Sequence, residues 1–255
     1  MLRLLYQESF KLSHRKGVFY FTLLLLAFML LNVASTKDSS NQRYFIAISF
    51  DAFQWVDIAL IVVGANIVSS EFEYGTMKRL VADYNNKFFI YIAKMFTLLE
   101  YDIILHILAF TLTLILKTLF FGNHNSLNSI YLNHQSLINN IVTTTMSNFF
   151  STFLIIVIVF MIASMSRTSA LAATIGFGFI MFGSGLSGII IQLCGKLFPW
   201  IKWNPGNMFN IGNQPLLHSV EKTSLLTNPQ LIIGNLVYIV LFTIIGYWAF
   251  SRKRI

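Results

Sequence analysis

The sequence predicts an all-α, polytopic membrane protein with six transmembrane helices, and three observations carry that expectation. Of 255 residues, 56% are hydrophobic, 25 are Phe and only 11% are charged, a balance too apolar for a soluble domain to hide in one core. Six apolar runs come close to or exceed the roughly 20 residues that a helix needs to cross about 30 Å of hydrocarbon. They are residues 17–34, 50–70, 90–116, 141–164, 170–193 and 231–250. Runs such as 153–162, FLIIVIVFMI, show none of the alternation of a barrel strand.

The first run follows basic residues, but no small-residue cleavage motif comes directly after Leu30 and Leu31, so it is expected to be a retained span. Charge sets the orientation. With the amino terminus inside, Arg3, Lys11, Arg15, Lys16, Lys78, Arg79, Lys87, Lys94, Arg167, Arg252, Lys253 and Arg254 fall on the cytoplasmic side, twelve of the 18 basic residues. Both termini are therefore expected in the cytoplasm of a multi-pass cell-membrane protein. The net charge of +8 is what this bias and an anionic inner leaflet produce, and no nucleic-acid motif accompanies it.

Two units are expected, an interfacial amphipathic helix at 1–16 and a single six-helix transmembrane domain at 17–255. In the first, Leu2, Leu5, Ser9 and Leu12 share a stripe while Glu8, Lys11 and Arg15 suit the headgroups; a plain basic flank is the alternative. After the second run, residues 71–86 form a cytoplasmic segment. Glu71 and Glu73 sit where a helix leaves hydrocarbon and Gly75 permits a sharp turn. Residues 77–84 then resume a short helix with Lys78 and Arg79 exposed, and Asn85 and Asn86 break it before the third run. Such a helix suits docking on a soluble partner, or is merely a loop.

The third run carries Glu100, Asp102 and His106. With Asp57 of the second run, these are candidates for an intramembrane polar network with a structural, coupling or proton-relay role, since a carboxylate in hydrocarbon must face protein, water or headgroups. In the fifth run, the small pairs Ala172 and Gly176, Thr174 and Gly178, and Ser184 and Gly188, with Gly183 and Gly185 between, permit close helix approach within the chain or at a subunit interface. Residues 121–140 read as an outer loop in which His124 and His134 lack an acidic or cysteine companion, so no metal site is expected. Residues 195–230, with Pro199, Trp200, Trp203, Pro205, Gly206, Asn207, Asn210 and Asn213, read as an interfacial hairpin or lid over the outer mouth, or as a connector.

Catalytic chemistry is not expected. Gly195 and Lys196 lack the upstream glycine of a phosphate-binding loop, and Cys194 stands alone. No metal or cofactor is expected on this chain.

The segment 71–80, EFEYGTMKRL, resembles the signature after the second span of ABC-2 type export permeases, where an acidic residue and Gly-Thr precede a basic, leucine-containing coupling helix. Residues 4–12, LLYQESFKL, followed by His14, Arg15 and Lys16, look like the amino terminus of the bacitracin and lantibiotic self-protection branch. The resemblance implies the ABC-2 exporter fold and pairing with cytoplasmic ATP-binding subunits, which carry ATP and Mg, and with a second, identical or related permease. It assigns Glu71, Glu73, Gly75, Thr76, Met77, Lys78, Arg79 and Leu80 to coupling. It further implies export of antimicrobial or other amphipathic peptides, or hydrophobic compounds, from the membrane. The alternatives are a non-transporting membrane scaffold and an ion-coupled carrier.

Overall fold

The structure, a computed structural model, describes residues 1–122 and 125–253. Among these, eleven α-helices follow in order: α1 (Leu2–Ser13), α2 (Lys16–Thr36), α3 (Gln42–Ala47), α4 (Ala52–Glu73), α5 (Met77–Tyr84), α6 (Lys87–Phe121), α7 (Leu137–Met165), α8 (Ser169–Cys194), α9 (Pro205–Met208), α10 (Ser219–Ser224) and α11 (Asn228–Arg252). The predicted fold class is the one observed. Helices α2, α4, α6, α7, α8 and α11 are long and apolar enough to cross a membrane. Helices α4 and α7 form the centre of the bundle, while α2, α8 and α11 turn broad apolar faces outward.

Five of the six predicted runs lie inside the observed helices, which run on to their caps. Hydropathy marks where hydrocarbon ends, whereas capping groups mark where the helix ends. Asn86 accepts a hydrogen bond from Phe88 N, Ser136 from Asn139 N and Thr168 from Leu171 N. Thr227 and Gln230 form a reciprocal capping box on α11. The expected outer loop of 121–140 is accordingly shorter, because α6 continues to Phe121 and α7 begins at Leu137. The second run departs at its start. Ser49, Phe50 and Asp51 all have positive φ, so regular α4 begins only at Ala52.

Both ends of the described chain meet at one end of the bundle, called here the α5 end. There Lys87 Nζ donates to Ser251 O at 2.7 Å, and Lys253 donates to Ser166 O and Ala163 O. Lys253 thereby caps the carbonyl end of α7, and burial lowers its ammonium pKa below the ordinary value.

At the far end, the segment between α8 and α11 keeps Leu197, Phe198 and Trp200 exposed but turns its middle back into the bundle. Residues 205–212 pack between α7, α8 and α11, and Gly206 approaches Gly183 so closely that a Cβ there would strike the Gly183 carbonyl oxygen. Gly183 lies about 16 Å along α8 from its Cys194 end. Irregular backbone at that depth must find its hydrogen bonds within the protein, and the asparagines supply them. Asn207 Nδ2 donates to Lys202 O and Ser224 O, Asn235 Nδ2 to Met208 O, and Gln214 Nε2 to Leu226 O and Asn228 Oδ1. Pro199 and Pro205 start short helices, so the segment does not form one continuous helix.

Candidate functional site

The candidate site is built at the α5 end, where α4 gives way to α5. Tyr74 N donates to Ser70 O and Gly75 N to Phe72 O, closing the end of α4. Gly75 has φ +70°, a left-handed conformation that costs a non-glycine residue about 1–2 kcal/mol. Helix α5 spans the residues expected of it. Met77 and Leu80 are buried beneath it, and Lys78 and Arg79 are exposed on its outer face. Asn85, also left-handed at φ 49°, ends α5, and Asn86 caps α6, which accounts for the Asn-Asn break.

Beneath the turn lies a cluster of four charges. Lys94 Nζ donates to Glu8 Oε2 at 2.6 Å and to Glu71 Oε1 at 3.2 Å. Lys11 Nζ donates to Glu8 Oε1 at 2.9 Å and Glu71 Oε1 at 3.3 Å. Lys94 is 1% exposed and Glu8 4%, and Glu71 is also buried. Lys94 faces the two buried carboxylates from inside, and Lys11, whose side chain is 43% exposed, adds the second positive charge from the solvent side. Burial opposes the charge of Lys11, but hydrogen bonds and attraction from Glu8 and Glu71 outweigh it and raise its pKa above the ordinary lysine value. Thr76 Oγ1 donates to the remaining Glu71 oxygen, which ties the first residue before α5 into the cluster.

This geometry corrects the expected face of α1. Leu2 is 86% exposed, whereas Leu4, Glu8 and Leu12, at i, i+4 and i+8, are buried against the bundle. Glu8 and Lys11 serve the ion cluster rather than the headgroups. Ser9 Oγ donates to Glu100, and Tyr84 Oη donates to Gln7 Oε1 at 2.7 Å, so α1 touches both α6 and α5. The signal available in the sequence was Lys94, a lone cation inside an apolar run, together with the Leu4–Glu8–Leu12 spacing. Glu73, by contrast, leaves the cluster: it accepts from Ser169 N and Ser169 Oγ at the start of α8.

The four intramembrane polar residues do not form one network. Asp102 and His106 are joined, with His106 Nδ1 2.8 Å from Asp102 Oδ1, and Thr152 Oγ1 of α7 donates to Asp102 Oδ2 at 2.7 Å. Phe53 stacks on His106 at 5.2 Å between ring centroids. Glu100 points away, to Ser9 of α1. Residues i and i+2 on a helix lie about 200° apart, which is why Glu100 and Asp102 separate. Asp57 is half-buried on α4 and makes no hydrogen bond among the described residues. His134 is described and His124 lies outside the described residues.

Along α8, Ala172 and Gly176 are buried. A Cβ at Gly176 would stand 3.3 Å from Ile61 Cγ2, so this pair serves contact with α4 inside the chain. Thr174 is exposed, Ser184 is half-buried, and Gly178 and Gly188 have nothing within 4 Å of a built Cβ. Those two pairs do not mediate close packing within the chain.

Comparison with known proteins adds three findings. The chain is 24% identical over 206 residues to YhcI, an uncharacterized protein of Bacillus subtilis (strain 168), covering 76% of this chain and 63% of that one. It is 26% identical over 198 residues to YdbK, an uncharacterized membrane protein of the same organism, covering 76% of each. The chain thus spans less than two thirds of the length of YhcI. Residues 4–183, from the buried face of α1 through the middle of α8, match the family described as ABC-2 family transporter protein, and the chain belongs to that family.

Proposed function

We propose that this chain is the permease subunit of an ATP-driven exporter and that α5 is where it receives motion from a separate ATP-binding subunit. The observation that carries the proposal is the two-sided construction of α5. Its outer face offers Lys78, Arg79 and the neighbouring, largely exposed Tyr74 to a soluble partner, while its base is tied through Thr76 and Glu71 to the buried Lys94 and the more exposed Lys11. A push on α5 therefore reaches α4, α6 and α1 together. Charged, hydrogen-bonded contacts of this kind have discrete arrangements, as a switching element requires.

In this reading both termini and α5 face the cytoplasm, in keeping with the distribution of Lys and Arg; Arg254, counted there, lies outside the described residues. ATP and Mg sit on the partner, and a second, identical or related permease completes the assembly. The cargo is an amphipathic peptide or hydrophobic compound taken from the membrane, a reading supported by the resemblance at residues 4–12 and 71–80.

The test is co-purification with the ATP-binding subunit, followed by ATP turnover with and without membrane-active peptides. Charge reversal at Lys78→Glu with Arg79→Glu is expected to weaken association or stimulated turnover at least about tenfold. Unchanged association and turnover would remove α5 as the coupling element. Stable association without any protection against a peptide panel would favour a scaffold.

A further inference from the structure

A groove of about 510 Å³ opens at the α5 end, between the α1–α2 junction and α4. Its rim is cationic and its floor apolar. Arg15 donates to Asn66 Oδ1 at 3.0 Å and to Ser70 Oγ at 3.4 Å, both uncharged partners. Lys16 is exposed and has no ion pair or side-chain hydrogen bond among the described residues. Glu71 also lines the groove, but Lys94, Lys11 and Thr76 already satisfy it. Arg15 and Lys16 thus leave two positive charges uncompensated at the rim. Below them Val18, Phe21 and Val62 form the floor, where α2 enters its apolar run.

We infer that this groove holds an anionic glycerophospholipid, with its phosphate on Arg15 and Lys16 and the upper part of one acyl chain against Val18, Phe21 and Val62. The ligand must satisfy both halves of the site. Guanidinium and ammonium groups select phosphate, and Arg15 retains N–H donors beyond the two it gives to Asn66 and Ser70. The apolar floor selects a hydrocarbon chain, which a soluble anion lacks. The site's level matches as well, because cations flanking the start of a span stand at the headgroups. In the orientation proposed above, that leaflet is the one carrying anionic lipid.

The test is native mass spectrometry of the purified full chain with phosphatidylglycerol or phosphatidylcholine, without any ATPase. A failure here would leave the coupling reading untouched. Wild type is expected to retain phosphatidylglycerol in preference, and Arg15→Ala with Lys16→Ala to reduce that retention about twenty-fivefold, taking about fivefold for each cation. Lys196→Ala with Lys222→Ala, which removes the same charge from the far end, is expected to change nothing.

Gly17→Trp keeps both cations while filling the groove. A Cβ at Gly17 meets nothing within 4 Å, so the side chain can start there without a backbone clash, and lipid retention is expected to fall. Should Arg15→Ala fail to fold, Lys16→Ala alone carries the test, with a loss of about fivefold. Equal retention of the two lipids, unaltered retention in the Arg15 and Lys16 variants, equal loss in the far-end control, or displacement of the lipid by inorganic phosphate would each overturn the assignment.

Discussion

Lys94 of α6 and Glu8 of α1, separated by 86 positions in the chain, face each other at 2.6 Å between Nζ and Oε2, and both are buried. A helix that hydropathy alone would float on the membrane surface is held by this pair to the interior of the bundle. Because Lys94 also reaches Glu71, the same ammonium joins the chain's first helix to the turn that launches α5.

Removing one partner of a buried ion pair leaves the other charge uncompensated. Lys94→Met keeps the apolar stem but strands Glu8 and Glu71 with Lys11 alone, and is expected to cost about 3 kcal/mol of stability. Adding Glu8→Gln should restore a large part of that loss, so the double-mutant cycle is strongly non-additive. Thermal unfolding in detergent measures both; additive losses would show that the pair does not act as a unit.

At Gly75 the demand is conformational rather than steric, since φ is +70° and a Cβ would meet nothing within 4 Å. Gly75→Asn is therefore expected to be tolerated, and Gly75→Val to lose about 1–2 kcal/mol and loosen the turn. Limited proteolysis between Glu73 and Met77 reports the loosening. Equal susceptibility of the two variants would contradict the left-handed requirement.

The folded-back segment rests on one close backbone approach. Gly206→Ala is expected to displace residues 205–212 and destabilise by about 1–3 kcal/mol, whereas Gly185→Ala, with open space around it, should be neutral. Asn207→Ala strips the carbonyls of Lys202 and Ser224 of their donor, at a cost of about 1–3 kcal/mol. Accessibility of a cysteine placed at Asn210 in each background separates displacement from global unfolding.

Asp102 and Glu100 should behave differently despite lying two residues apart. Asp102→Ala removes the carboxylate between the Thr152 hydroxyl and the His106 ring, leaves them only the Phe149 and residue-102 carbonyls, and is expected to cost about 1–3 kcal/mol. Glu100→Gln keeps an acceptor for Ser9 in a half-exposed setting and should stay within about 1 kcal/mol. In an ATP-driven exporter, Asp102→Asn should leave transport dependent on ATP; transport that instead tracked the proton gradient would favour the carrier alternative.

Residue type and order by themselves determined the six spans, the retained helical register of α5 and the turn at Gly75. Each is a local property, read from the apolar content of about 20 consecutive residues, from a helical period or from one backbone angle. What only the tertiary structure decided is which polar groups meet. On α1 two stripes were compatible with a helix, one through Leu2 and Leu5 and one through Leu4, Glu8 and Leu12, and the position of Lys94 on α6 selected the second. Asn204, Asn207 and Asn210 read equally well as loop residues until the helices packed around them gave each amide a hydrogen-bond partner. The physical reason is the same in both cases: the cost of a buried polar group falls on its own residue, but the group that relieves it lies elsewhere in the chain, at a place that only the packed helices set.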